Sequence, residues 1–189
     1  MSTARAESRR LTPLDLTPIP DDPACRIECL GGSLILSSHA RLAQQFALGE
    51  LQYRLGVYCS AVGGWFVCPA PFDLMLDPYT LVPPDLAVFR RRDPLRYPSS
   101  VAEAGRPALV VELLATRAAT ADRAVSRRRY QRMGVEYLLW TLEDRTVERW
   151  TPHATVPELH RDVLIWHAPG AASPFTLDLQ PFFSRFPAG

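Results

Sequence analysis

The sequence contains no lysine: all 21 of its basic residues are arginine. A guanidinium stays protonated, so no side-chain amine is available as a general base or nucleophile. Net charge is also close to absent, at +1. That gives no strong global field for a polyanion. Positive charge is concentrated locally in Arg90-Arg91-Arg92 and Arg127-Arg128-Arg129. Each run reads as a solvated face or as a nucleic-acid contact. Cysteine is scarce. Cys25, Cys29, Cys59 and Cys68 form no Cys-x-x-Cys pair, so zinc would need an unusual spacing. Reduced, buried thiols of a cytoplasmic protein are the expectation. No apolar run is long enough to span a bilayer. The opening MSTARAESRRLTPLDLTPIP lacks the apolar core of a secretory signal. No membrane partner is expected.

What is present is a chain of 189 residues, 47 % hydrophobic, which is too apolar for a disordered protein and long enough for one sizeable core. Residues 1–24 are polar and proline-containing and read as a loose leader; 25–185 read as a single domain. Arg26–Leu30 and Leu34–Leu36 flank Gly31-Gly32, the pattern of a hairpin. Leu48, Leu51, Leu55 and Tyr58 recur at steps of three and four, so residues 40–58 read as a helix, which Gly49 and Gly56 weaken. Trp65–Cys68, Phe72–Asp77 and Asp85–Phe89 read as strands. Arg90–Pro107 is polar and proline-rich and reads as a loop. Ala108–Leu114 is a continuous apolar run, the mark of a central strand buried on both faces. Ala121–Met133 reads as a helix stopped by Gly134. Val135–Leu142 and Val147–Trp150 read as a second hairpin, and Phe175–Leu179 with Phe182-Phe183 as a tail that docks on the body. Strands and helices interleave, so the class is α/β or α+β, built on one mixed central sheet flanked by helices.

Two acids stand out. Asp85 follows two prolines and opens the run Leu86-Ala87-Val88-Phe89. Glu112 lies inside Ala108–Leu114. A carboxylate in such a run is costly to bury as a charge without a partner. An arginine or a strand end in water would satisfy either acid. If the two strands are neighbours, their carboxylates converge, and two carboxylates with water suit magnesium or manganese. Such a cation activates water and stabilises charge on a phosphodiester.

Several segments together resemble the Uma family of restriction endonucleases, a branch of the PD-(D/E)XK nuclease superfamily. They are Arg26-Ile27-Glu28-Cys29-Leu30, Ala70-Pro71-Phe72-Asp73-Leu74, Pro84-Asp85-Leu86, Val110-Val111-Glu112-Leu113-Leu114, Asp122-Arg123, Tyr130 followed by Gly134-Val135-Glu136-Tyr137, and Phe175–Leu179. They fall in family order between residues 25 and 183. The resemblance implies a restriction-endonuclease-like mixed sheet and metal-dependent cleavage of DNA. It implies Asp85 and Glu112 as the metal ligands, and a counterpart for Glu28 near the chain start. His39 falls where a family histidine opens the first long helix, with a structural role.

The sequence departs from that pattern at three places. The family lysine, four residues before the tyrosine, is Ser126 here. Arg123 and Arg127 lie three before and one after it, and either is a candidate to clamp a phosphate in the lysine's place. The family's Asp-Gly-Glu is Gly31-Gly32-Ser33, and its Leu-Ser-Pro-Ser-Thr is Leu114-Ala115-Thr116-Arg117-Ala118. Two main readings follow: a magnesium-dependent DNA endonuclease weakened by Ser126, or a nuclease fold that binds nucleic acid or protein without cutting. A small-phosphoester hydrolase using the same acids is a third. A homodimer would serve two-strand cleavage.

Overall fold

The structure is a computed structural model that describes residues 10–16, 25–38, 42–114 and 120–186. Its first elements are β1 (Cys25–Leu30), β2 (Ser33–Ser38), α1 (Leu42–Val62), β3 (Trp65–Pro69), β4 (Leu74–Asp77), β5 (Thr80–Val82), β6 (Leu86–Arg90) and α2 (Val101–Ala104). Then come β7 (Leu109–Leu114), α3 (Thr120–Arg132), β8 (Glu136–Thr141), β9 (Thr146–Trp150), β10 (Glu158–His160), β11 (Val163–Trp166), β12 (Phe175–Asp178) and α4 (Leu179–Ser184). The architecture is mixed α+β. The chain divides into two compact units: Met1–His39 with Leu74–Val82, and Ala40–Asp73 with Pro83–Gly189.

The first unit is an antiparallel sheet in the order β2-β1-β5-β4. Its hairpin turns at Gly31-Gly32, whose φ values of 63° and 85° need glycine. Residues 10–16 of the expected leader bond back to this turn, through Leu11 N–H to Gly32 O at 3.0 Å, and contain a short 3-10 turn at Pro13–Asp15. Strand β5 was not expected from the sequence. It has only three residues, too few for an alternation to register.

The second unit carries a six-stranded sheet in the order β10-β9-β8-β7-β6-β3. β7 and β8 are parallel and joined through α3, while the other neighbours are antiparallel. Every residue of β7 is buried, as its continuous apolar run requires. Alternation along the strands divides the sheet into two faces. One face presents Leu86, Val88, Leu109, Val111, Leu138 and Trp140. These join the buried stripe of α1 and the docked tail in one apolar cluster. The tail adds β11 and β12, and α4 brings Phe182 and Phe183 against the Trp140 ring. Tyr58 ties α1 to this region by donating to Ser173 O at 3.0 Å and accepting from Ala168 N–H at 3.0 Å.

The other face presents Asp85, Ala87 and Phe89, then Val110 and Glu112, then Tyr137 and Leu139. Helix α3 covers part of it: the Tyr130 ring stacks on Tyr137 with centroids 5.4 Å apart. Gly134, at φ 72°, ends the α3 segment as expected, and Val135 N–H returns to Tyr130 O. Phe72 and Asp73 precede strand β4 rather than belonging to it, and the expected loop 90–107 contains the single turn α2. No helix among the described residues is long and apolar enough to cross a membrane.

Candidate active site

The antiparallel register of β6 and β7 sets Leu86 opposite Val111. One step further sets Asp85 opposite Glu112, on the same face, with Cβ atoms about 5 Å apart by sheet geometry. The two prolines before Asp85 hold it at the start of β6. Asp85 Oδ2 accepts the Leu113 N–H at 2.8 Å, which pins the carboxylate to the backbone just after Glu112. The Leu113 carbonyl is held from the α1 side by Gln44 Nε2 at 3.1 Å.

Glu112 is 1 % exposed and its charge is compensated from α3. Arg123 Nε lies 2.9 Å from Oε2, and the Tyr130 hydroxyl donates to Oε1 at 3.4 Å. Arg123 and Tyr130 are seven residues apart, two turns on one helix face. Ser126 lies between them on that face. It is fully buried, and its Oγ has no hydrogen-bond partner among the described residues. The helix position aimed at the Glu112 carboxylate therefore carries a side chain too short to reach it as a cation would. Beneath it, the Tyr137 hydroxyl is also buried and without a hydrogen-bond partner among the described residues. Burial, then the Glu112 carboxylate, push that phenol well above its ordinary pKa.

Arg127 is not brought to this cluster. It turns away, and its guanidinium lies over the Trp150 ring at 3.7 Å. Burial and neighbouring Arg128 lower its pKa from the ordinary guanidinium value. Glu28 is buried in β1 of the first unit. His39 and residues 115–119 lie outside the described residues. Sequence reasoning missed Tyr130 and Tyr137 as members of the site. The seven-residue step from Arg123 to Tyr130 was the available signal. Among the described residues no three His, Cys, Asp or Glu side chains cluster. The donor set is thus two hard carboxylates, which fits a cation that keeps several waters better than one needing a full protein cage.

A family model described as "Uma2: Putative restriction endonuclease" matches residues 13–177. The chain belongs to this family. Among solved structures, a crystal structure of "a putative nuclease belonging to DUF820 from Anabaena variabilis" matches with a TM-score of 0.75 at 14 % identity, over 93 % of this chain and 99 % of that one. That likeness shows a shared fold. No curated protein matches. The resemblance carried by the scattered motifs is thus family membership, and in this Uma2 chain the paired acids stand on adjacent central strands of the shared fold.

Proposed function

We propose that this Uma2 chain is a metal-dependent DNA endonuclease of the PD-(D/E)XK type, weakened by the serine at position 126. The observation that carries the reading is the pairing of Asp85 and Glu112 at opposed register positions under α3. Asp85 and Glu112 would hold magnesium or manganese, which when bound supplies an activated water and neutralises charge on the phosphodiester. Asp85 is oriented by the Leu113 N–H. Arg123 orients Glu112 and, swung toward solvent, offers its fork to a phosphate oxygen. Ser126 supplies no cation for the developing charge. Arg127, held on Trp150, takes the role of a more distant phosphate clamp. The free thiols of Cys29, Cys59 and Cys68 suit a reducing cytoplasm, and a homodimer would bring two sites to the two strands.

The test is magnesium- or manganese-dependent nicking of supercoiled plasmid by the full chain. The reading expects slow nicking that disappears in Asp85→Ala and in Glu112→Ala. It expects Ser126→Lys to raise the rate by about a hundredfold, the order of one preorganised charge. Nicking that persists in both alanine variants would sink it. The second reading, a nuclease fold that binds without cutting, is favoured by the solitary Ser126 hydroxyl and by the arginine already paired with Glu112. It expects salt-sensitive DNA binding by the parent protein with no nicking in either metal.

A further inference from the structure

Strand β3 is one edge of the six-stranded sheet, and a cavity of about 300 Å3 lies against it. Gln52 and Ser60 of α1, with Gly64, Trp65, Arg91 and Tyr97, contribute to its walls, and among the described residues no carboxylate lines it. Arg91 extends the β6 register by one step, its N–H donating to Gly64 O at 2.8 Å. Alternation puts its side chain on the face that bears Phe89 and Asp85. The guanidinium lies over the Tyr97 ring at 4.1 Å. Tyr97 in turn meets Phe66 edge-on, and Phe66 stacks on Phe89.

Like Arg127 on Trp150, Arg91 lies over an aromatic ring with its Nε buried, and both differ from the arginines that hold acids. Arg54, Arg96, Arg123, Arg149 and Arg185 each hold an acid. Arg91 holds none among the described residues, and its Nε is shielded from solvent with no hydrogen-bond partner there. A half-shielded guanidinium is costly to leave unsatisfied. Set over an aromatic ring, in a pocket that the neutral side chains of Gln52 and Ser60 also line, it is arranged for an anion. Its fork matches two oxygens of a phosphate, and the exposed Tyr97 ring offers a stacking surface beside it.

We infer that this pocket is a phosphodiester-binding subsite. Arg91 lies six residues along the chain from Asp85, which places the subsite roughly 20 Å from the paired acids. That distance spans about six phosphates of one DNA strand. The DNA source rests on the proposed nuclease reading. A free phosphate or a nucleotide shares the same chemistry, and the experiment separates them.

The experiment measures binding of a short DNA duplex by anisotropy over a series of salt concentrations, and of inorganic phosphate by calorimetry. It uses the full chain and the variants Arg91→Ala, Arg91→Lys and Ser60→Asp, each checked by thermal melting. Arg91→Ala should weaken duplex binding about tenfold and reduce the salt slope by about 0.9, one phosphate contact. Ser60→Asp, a substitution at an exposed position, should weaken binding by charge repulsion. Arg91→Lys should keep the slope and lose affinity, because the fork is gone. Duplex binding with an unchanged slope in Arg91→Ala overturns the subsite and leaves the nuclease reading standing. Phosphate binding through Arg91 without duplex binding upholds the subsite with a small ligand and removes DNA as its source. Binding of neither probe overturns the subsite.

Discussion

The two faces of the six-stranded sheet are made by alternate residues of the same strands, yet they are chemically unlike. On one face Leu86, Val111, Leu138 and Trp140 meet the apolar side of α1 and the docked tail in a largely apolar cluster, whose polar atoms include the bonded Tyr58 hydroxyl and the buried Trp140 and Trp166 indole N–H groups, both without a hydrogen-bond partner among the described residues. On the other, beside Asp85, Glu112 meets α3, which presents Arg123, Ser126, Tyr130 and, further along, Arg127. The first face is a core in which shape and volume decide stability. The second buries charge and hydroxyl groups, each of which needs a partner. Ser126 Oγ, Tyr137 OH and Arg127 Nε have no hydrogen-bond partner among the described residues. A fold that tolerates these groups at the centre of its sheet holds them at a cost in stability, and such costs gather where a ligand acts.

The contrast breaks most sharply on the apolar face. Trp140→Ala removes a fully buried ring packed against Phe182 and Phe183 and should destabilise the protein by about 3–5 kcal/mol in urea unfolding. Glu112→Ala should cost less, about 2–3 kcal/mol, because Arg123 keeps 13 % exposure and partial hydration when its partner is lost. A second change, Arg123→Met, made in the Glu112→Ala background, should recover most of that loss, since no charge is then left buried. A double variant as unstable as the single one would show that packing, and not the ion pair, holds that site.

Smaller effects sharpen the same comparison. Ser126→Ala removes a buried hydroxyl without a partner and should be neutral or stabilising by up to ~1 kcal/mol, where the same loss of a satisfied hydroxyl would destabilise. Tyr137 gives a pH signature. Its phenol is raised in the folded state, chiefly by burial, so the folded protein keeps the proton that the unfolded chain releases near pH ~10. Its contribution to stability is full below that pH and is lost as pH rises toward the folded-state value. Tyr137→Phe should therefore flatten the alkaline fall in the urea midpoint. An identical fall in both proteins would contradict the assignment.

The parts of the fold with long patterns were legible. The apolar run of β7, the stripe of α1 and the stop at Gly134 each carry a local signal strong enough to read. The short strands β5, β10 and β11 and the single turn α2 were not, because three or four residues cannot establish a period and their pairing comes from partners distant in sequence. The acids of the site were visible as charges in apolar runs. Their juxtaposition was not, since it follows from strand order and register. Arg127 shows the limit most clearly. It sits one residue from Ser126, and helix geometry alone turns it about 100° from that face while keeping Arg123 near it; that Arg127 lies on Trp150 and Arg123 pairs with Glu112 follows from how α3 stacks on β8 and β9.

The central claim is that Asp85 and Glu112 form one divalent-cation site. Calorimetric titration of magnesium and manganese into the parent protein and into the Asp85→Ala, Glu112→Ala double variant tests it most directly. The account predicts saturable binding by the parent that is absent from a folded double variant. Binding of equal strength by both, or no binding by the parent with or without DNA, would contradict it.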